Sequence, residues 1–371
     1  MPEPLPEPGT DARAHSERLG AHIRAQIAAA RGAIPFSRFM ELALYAPGLG
    51  YYSAGARKFG AGGDFVTAPG LGPGFAHGVA RAIAPVLRTL GDGAAVFELG
   101  GGDGRFAADL RQRQRERLQA ALLPDVFARV HGLDGPPERP WRGVLFANEV
   151  IDALPTPRFA IRDGEVYEEH VVVGADGGLL RVDQPADALL RAAVRHVERD
   201  NEAPLPEGYR SEILPQLPYW LQAVGGLLRQ GAMLFCDYGY PRREYYLPER
   251  SDGTLVCHYR HRAHGDPFFL PGLQDLTAFV DFTALAEAGV HAGFDFAGYC
   301  SQASFLLGNG LGETLAEIDA IEDQSERYRR HAEVKRLTLP GEMGERFQFM
   351  GFQRGVDLRP AFALGDLSRR L

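Results

Sequence analysis

The sequence predicts an α/β chain built on a mostly parallel sheet, and three short apolar runs carry that prediction. They span residues 94–99, 143–147 and 232–236. Each has the length and continuous apolar character of a strand buried on both faces. Each also ends in polar residues: Glu98 before a glycine cluster, then Asn148-Glu149, then Asp237-Tyr238-Gly239. Parallel strands that end this way bring their polar termini to one ligand crevice at the carboxyl edge of the sheet.

The remaining elements follow in chain order. Residues 1–17 are expected to be a disordered tail, because 1–11 are rich in Pro and Glu and lack an apolar core. Residues 18–92 should form N-terminal helices at 18–31, 36–45 and 75–90, with Pro35 at a helix start. Between them lies a Gly-dense segment, 48–74, carrying Tyr51, Tyr52 and Phe65, read as a functional loop or lid. The core is expected at 93–157 and 210–371. Residues 158–209 interrupt it with an antiparallel β insertion, whose alternating runs are separated by Asp163-Gly164 and Asp176-Gly177-Gly178. Helices are expected at 187–199 and 213–229, and a late strand at 345–354.

Composition narrows the function. The 371 residues are 45% hydrophobic, enough for a large core, and the net charge is −8. A duplex-binding protein needs a basic surface, so nucleic acid is not an expected partner. No run approaches the roughly 18 apolar residues of a membrane span. Three widely spaced cysteines make no disulfide framework, and the expected compartment is the cytoplasm. The sequence does not decide the assembly; a homodimer is the one considered.

The strongest chemical motif is Glu98-Leu99-Gly100-Gly101-Gly102-Asp103-Gly104. Gly100, Gly102 and Gly104 admit backbone conformations closed to other residues and let a ligand approach the main chain. S-adenosylmethionine, with its ammonium and sulfonium and no phosphate, suits a carboxylate such as Glu98. A dinucleotide is the alternative, since Gly102 to Ala107 also fits G-x-G-x-x-A, but Asp103 would stand against its pyrophosphate. A second motif, Gly62-Gly63-Asp64-Phe65-Val66-Thr67-Ala68-Pro69, supplies Gly63, Asp64 and Thr67 as cofactor-binding candidates beside a purely structural turn. In the third, Asn148, Glu149 and Asp152 cluster past a strand end as catalytic candidates, although Asn148 could simply cap a helix. Cys257, His258, His261 and His264 suggest a metal, but Arg260 and Arg262 oppose a cation, and no metal is expected. A G-x-S-x-G nucleophile elbow is absent from the sequence.

Taken together, these motifs resemble the MidA family of class I methyltransferases, over roughly residues 34–355. The carriers are Gly50-Tyr51-Tyr52, the 63–69 and 98–104 loops, 147–155, Asp237-Tyr238-Gly239, Gln274-Asp275-Leu276-Thr277 with Val280-Asp281-Phe282, and Met343-Gly344-Glu345. The resemblance implies a Rossmann-like sheet, S-adenosyl-L-methionine as cofactor, and a protein substrate. Its implied reaction is methylation of an arginine on a respiratory complex I subunit. On chemical grounds, separate from the resemblance, carboxylates such as Glu149 and Asp152 suit the task of orienting a guanidinium.

The chain departs from the family where a second strand, ending in the acid that grips the ribose hydroxyls, should follow Gly104. Only 44 positions separate Gly104 from Asn148. Two helices, two strands and their loops need about 48. The sheet is therefore expected to lack its usual second strand, or to fill that place with residues 126–133. Asp134 is then the stand-in for the ribose acid. Loss of the strand would favour a rival reading, a catalytically impaired methyltransferase-fold protein serving assembly or binding. An NAD-dependent oxidoreductase is the other alternative.

Overall fold

The computed structural model describes residues 5–54, 67–118, 129–133 and 137–371. The chain divides into two compact units. One comprises Val66–Ile151, Gln216–Pro241 and Val280–Leu371; the other comprises Met1–Phe65, Asp152–Pro215 and Arg242–Phe279.

The first unit holds the predicted sheet. Its strands are β1 (Ala95–Leu99), β2 (Val130–Leu133), β3 (Trp141–Asn148), β4 (Leu228–Tyr240), β5 (Asp295–Ser301) and β6 (Phe347–Arg354). They lie in the order β5-β6-β4-β3-β1-β2, with the short Val280–Asp281 segment also paired to β4. β1, β2, β3 and β4 run parallel, whereas β6 is antiparallel to both β4 and β5. The parallel strands are buried because helices cover them. Helix α1 (Pro73–Leu90) buries Phe75, Val79, Ile83 and Val86, in one core cluster with Val96, Val144, Phe146 and Leu234 of the strands. Helix α2 (Arg105–Leu118) adds Phe106, whose ring stacks on Phe146 at 4.4 Å.

The expectation of a missing second strand is corrected here. β2 pairs with β1 in parallel register, Val96 opposite Val130 and Leu99 opposite Leu133, on the edge where that strand belongs. It is short and contains His131 and Gly132, so its apolar signal is weak. It coincides with the end of the 126–133 segment weighed as a replacement. Residues 126–128 and Asp134 lie outside the described residues.

In the second unit, helix Thr10–Ala29 begins well before residue 18, which shortens the expected tail. Its Leu19, Ile23 and Ile27 pack with Phe36, Phe39, Met40 and Leu44 of helix Phe36–Tyr45. The antiparallel strands Arg158–Arg162, Glu165–Val173, Leu179–Pro185 and Arg210–Glu212 form one sheet, which also recruits Ala33–Pro35. Helix Ala188–Asp200 starts at Asp187, whose carboxylate accepts the Leu190 N–H at 2.7 Å. The unit thus joins N-terminal helices, the antiparallel segment and residues 242–279. Those last residues were expected in the core; they hold a separate three-stranded sheet, Arg262–His264, Val256–Tyr259 and Asp275–Thr277. No described helix is long and apolar enough to cross a membrane.

Candidate active site

β1 and β3 end within one residue of each other, at Leu99 and Asn148, and β4 passes the same level before running on to Tyr240. Leu99 of β1 stands opposite Ala147 of β3, and Asn148 stands opposite Cys236 of β4. The polar residues near these positions therefore share one edge of the sheet. Glu98 is in register with Phe146, so by strand alternation Glu98 and Asn148 face the same side.

After Glu98 the chain turns through Gly100 (φ 68°), Gly102 (φ 52°) and Gly104 (φ 74°), all in the left-handed region that glycine enters without cost. The Gly104 N–H donates to the Gly101 carbonyl at 2.8 Å, and α2 begins one residue later. The Glu98 side chain folds back against Gly101, where a Cβ would lie 3.1 Å from its carboxylate. Glu98 is 6% exposed, and its Oε2 has no hydrogen-bonding partner among the described residues. Burial, helped by the charge of Asp103, raises its pKa to about 8. A buried carboxylate oxygen without a donor is costly unless a ligand completes it. The hydroxyl and ammonium donors of S-adenosylmethionine have the chemistry it lacks. Asp103 bears on the competing ligand. Its carboxylate accepts the Arg105 N–H at 3.1 Å, at the helix N-terminus where a pyrophosphate would seek its donors. This opposes the dinucleotide alternative.

The structure also brings the segment containing Thr67 to this loop. Thr67 precedes helix Ala68–Leu71, and the Arg105 guanidinium donates to the Gly70 carbonyl at 3.1 Å. Gly63 and Asp64 lie outside the described residues, as does Asp134.

At the end of β3 the Asn148 Nδ2 donates to Glu149 Oε1 at 2.9 Å, while the buried Asn148 Oδ1 accepts nothing among the described residues. Glu149 has φ 52°, an uncommon conformation for a residue with a Cβ. Such outliers persist where neighbouring structure fixes them, often at functional sites. Its N–H donates to the Cys236 carbonyl at 2.9 Å. Asp237 was noted in the sequence as a strand end but not as a site residue. It is 1% exposed, and its two oxygens accept the Ile151 and Tyr238 N–H groups, each at 3.0 Å. Its position in Asp237-Tyr238-Gly239, past the third apolar run, was the available signal.

Asp152 falls in the second unit, so the described geometry does not group it with Asn148 and Glu149. It is buried there, and its carbonyl accepts the Ala278 N–H at 2.9 Å. Nearby, Tyr45 stacks on Tyr52, and the Tyr52 hydroxyl donates to Asp275 at 2.9 Å. Burial, with the charges of Asp275 and Asp152, raises the pKa of both phenols, which therefore stay protonated.

A family profile for S-adenosyl-L-methionine-dependent methyltransferases matches residues 108–300, more than half of the chain. The chain belongs to that family. This methyltransferase is 44% identical to a Burkholderia thailandensis protein solved with S-adenosyl-homocysteine bound, covering 99% of this chain and 100% of that one with a TM-score of 0.88. It is also 26% identical to the Drosophila melanogaster protein arginine methyltransferase NDUFAF7 homolog, over 96% of this chain and 89% of that protein. The Danio rerio protein arginine methyltransferase NDUFAF7 is 26% identical too, over 88% and 85%. These likenesses agree with the MidA resemblance. The chain is an enzyme that uses S-adenosyl-L-methionine, and the non-catalytic reading loses its ground now that β2 stands where a strand was expected to be missing.

Gly100→Ala tests the cofactor loop. An added Cβ would meet Val150 Cγ2 at 2.9 Å and would impose a left-handed alanine. The strain alone costs about 1–2 kcal/mol. The expected result is a lower melting temperature together with weaker S-adenosylhomocysteine binding in calorimetry. Unchanged values in both would remove the loop's assigned role.

Proposed function

We propose that this methyltransferase acts on an arginine side chain of a protein, the target class being a subunit of respiratory complex I, as the family resemblance implies. The observation that carries the arginine reading is Glu149, a carboxylate held at the end of β3 in a left-handed conformation and bonded to Asn148. A carboxylate there would hold a guanidinium through paired N–H donors and set one nitrogen in line with the transferable methyl. Asn148 Oδ1, buried and unpaired in the described structure, would accept a further N–H. As the new C–N bond forms, the nitrogen must lose a proton, and the negative charge of Glu149 favours that loss. The cofactor supplies an electrophilic methyl on its sulfonium. The names of the fly and fish relatives support the same substrate class.

Asp152 stays in this proposal as a second acid, and Gly63, Asp64, Thr67 and Asp134 as further cofactor contacts, each tested by the affinity and rate of single variants. The proposal places the enzyme in the cytoplasm as a homodimer. Its three buried free cysteines accord with a reducing compartment, and light scattering reads the assembly. The main experiment offers labelled S-adenosylmethionine with arginine-containing and arginine-free (lysine-containing) peptides, and locates the label by mass spectrometry. Label on arginine is expected. Glu149→Gln should lower the rate about 100-fold while leaving S-adenosylhomocysteine affinity within about threefold. Label on lysine alone, or an undiminished E149Q rate, would overturn the arginine reading.

A further inference from the structure

Asp237 lies in β4, the strand beside β3, three residues before its end at Tyr240, and belongs to no group assigned above to cofactor or substrate. Its carboxylate has an unusual task for a buried acid. One oxygen accepts its neighbour's N–H, from Tyr238, at 3.0 Å. The other reaches across to the chain leaving β3 and accepts the Ile151 N–H at 3.0 Å. Between Asn148 and Ile151 the backbone must therefore pass from a strand, through the left-handed Glu149, to a fixed point on the next strand. Two anchors define that passage. The Glu149 N–H is held by the Cys236 carbonyl at 2.9 Å, and the Ile151 N–H by Asp237. With both ends tied to consecutive residues of β4, Glu149 has little freedom to relax to a negative φ. Val150 is held between the anchors, with its Cγ2 against the space above Gly100 of the cofactor loop.

We propose that Asp237 is a positioning residue for methyl transfer, which locks the Glu149–Ile151 turn and thereby aims the Glu149 carboxylate at the substrate nitrogen. The inference rests on the reading of Glu149 given above. Its physical basis is that a left-handed non-glycine residue is disfavoured on its own and needs outside bonds to persist. A carboxylate is suited to the task. It is an acceptor on both oxygens, so it can bind two N–H groups with charge-assisted bonds. An amide of the same shape keeps one acceptor and presents a donor to the other N–H.

The test is a double-mutant cycle on the full chain with Asp237→Asn and Glu149→Gln. Rates are measured with labelled S-adenosylmethionine and an arginine-rich peptide, and affinity with S-adenosylhomocysteine. D237N is expected to lower kcat/KM about 30-fold, with S-adenosylhomocysteine affinity within about threefold of the parent. Added to E149Q, it should cost less than about threefold more, because the group it positions is already gone. Multiplicative losses in the double variant would overturn the proposal while leaving the Glu149 reading standing. An E149Q enzyme as fast as the parent would remove the Glu149 reading, and this proposal with it. Amide hydrogen exchange gives a readout that does not depend on turnover. In D237N, the peptide spanning residues 148–152 should exchange at least about tenfold faster, with the 98–104 loop unchanged. Equal exchange in that peptide would sink the proposal even where the peptide substrate is not turned over.

Discussion

Glu98→Gln is expected to make the protein more stable at neutral pH and far weaker in cofactor binding. The carboxylate is buried, one oxygen is without a donor, and its folded pKa is about 8 against an ordinary value near 4.5. A raised acid pKa means that the folded chain holds this proton more tightly than the unfolded chain does. The resulting stability is fully present below pH 4.5. It is lost progressively as pH rises, and the loss is complete above pH 8. At pH 7 the loss amounts to roughly 3 kcal/mol, since each pKa unit is worth about 1.4 kcal/mol. A neutral glutamine of the same shape avoids it, so E98Q should gain about 1–3 kcal/mol at pH 7–8 and nothing at pH 4. The cofactor result runs the other way. Donors and positive charge on the ligand favour the ionised form, so binding at pH 7 should release protons from Glu98, and affinity should rise between pH 6 and 8. Calorimetry in two buffers of different ionisation enthalpy reads this release directly. E98Q should abolish it and weaken S-adenosylhomocysteine binding by roughly 10-fold to 100-fold, the worth of one or two charge-assisted bonds. Proton release unchanged in E98Q would place the titrating group elsewhere.

The parallel sheet was legible because its signal is local. An apolar run of five or six residues, closed by a carboxylate or amide, announces both the strand and the edge at which it ends. Glu98, Asn148 and Asp237 each stand at the polar end of such a run, and the register brings them to the same end of the sheet, staggered by up to three residues. The glycine loop was legible for the same reason, because the residues that need positive φ are adjacent in the chain. β2 was harder. Four residues containing a histidine and a glycine carry little apolar pattern, and residue counting between Gly104 and Asn148 assumed average helices and loops. Asp237 shows a different limit. It accepts from two backbone N–H groups, one of them 86 positions away, and nothing in side-chain identity announces such a bond. The second unit was legible in pieces only. Asp163-Gly164 marked its hairpin, but the pairing of Ala33–Pro35 with residues near His170 depends on contacts far apart in sequence. So does the separation of residues 242–279 from the core.

Arg158→Ala is expected to be among the most destabilising single substitutions in the chain, and it lies in that second unit. Arg158 is 1% exposed. Its guanidinium donates to Glu169 at 3.1 Å, to Glu212, and to both the carbonyl and carboxylate of Asp252 at 3.1 and 3.0 Å. Glu169 and Glu212 are as buried as the arginine. Burial would lower the arginine pKa, but the charges of Glu212, Glu169 and Asp252 outweigh it and raise the value, so the cation is secure. The cluster joins the strand Arg158–Arg162 to both neighbours, Glu169 lying on one and Glu212 on the other. Truncation to alanine would leave two carboxylates buried without their shared cation, partly compensated by Arg210 at 2.6 Å and Arg181 at 3.5 Å from Glu169, and by the Thr254 N–H and hydroxyl donating to Glu212 at 2.7 and 3.0 Å. Breaking a buried pair in this way costs about 3–5 kcal/mol. Lysine should recover only part of the loss, because a single ammonium cannot serve three carboxylates in the fixed fork that a guanidinium offers. The decisive measurement is urea unfolding of R158A, R158K and the triple variant R158A/E169Q/E212Q. If stranded charge is the cause, neutralising the two glutamates should return at least half of the lost stability. If R158A costs less than about 1 kcal/mol, or the triple variant recovers nothing, the network is a passenger of the fold and the sheet is held by its apolar face alone.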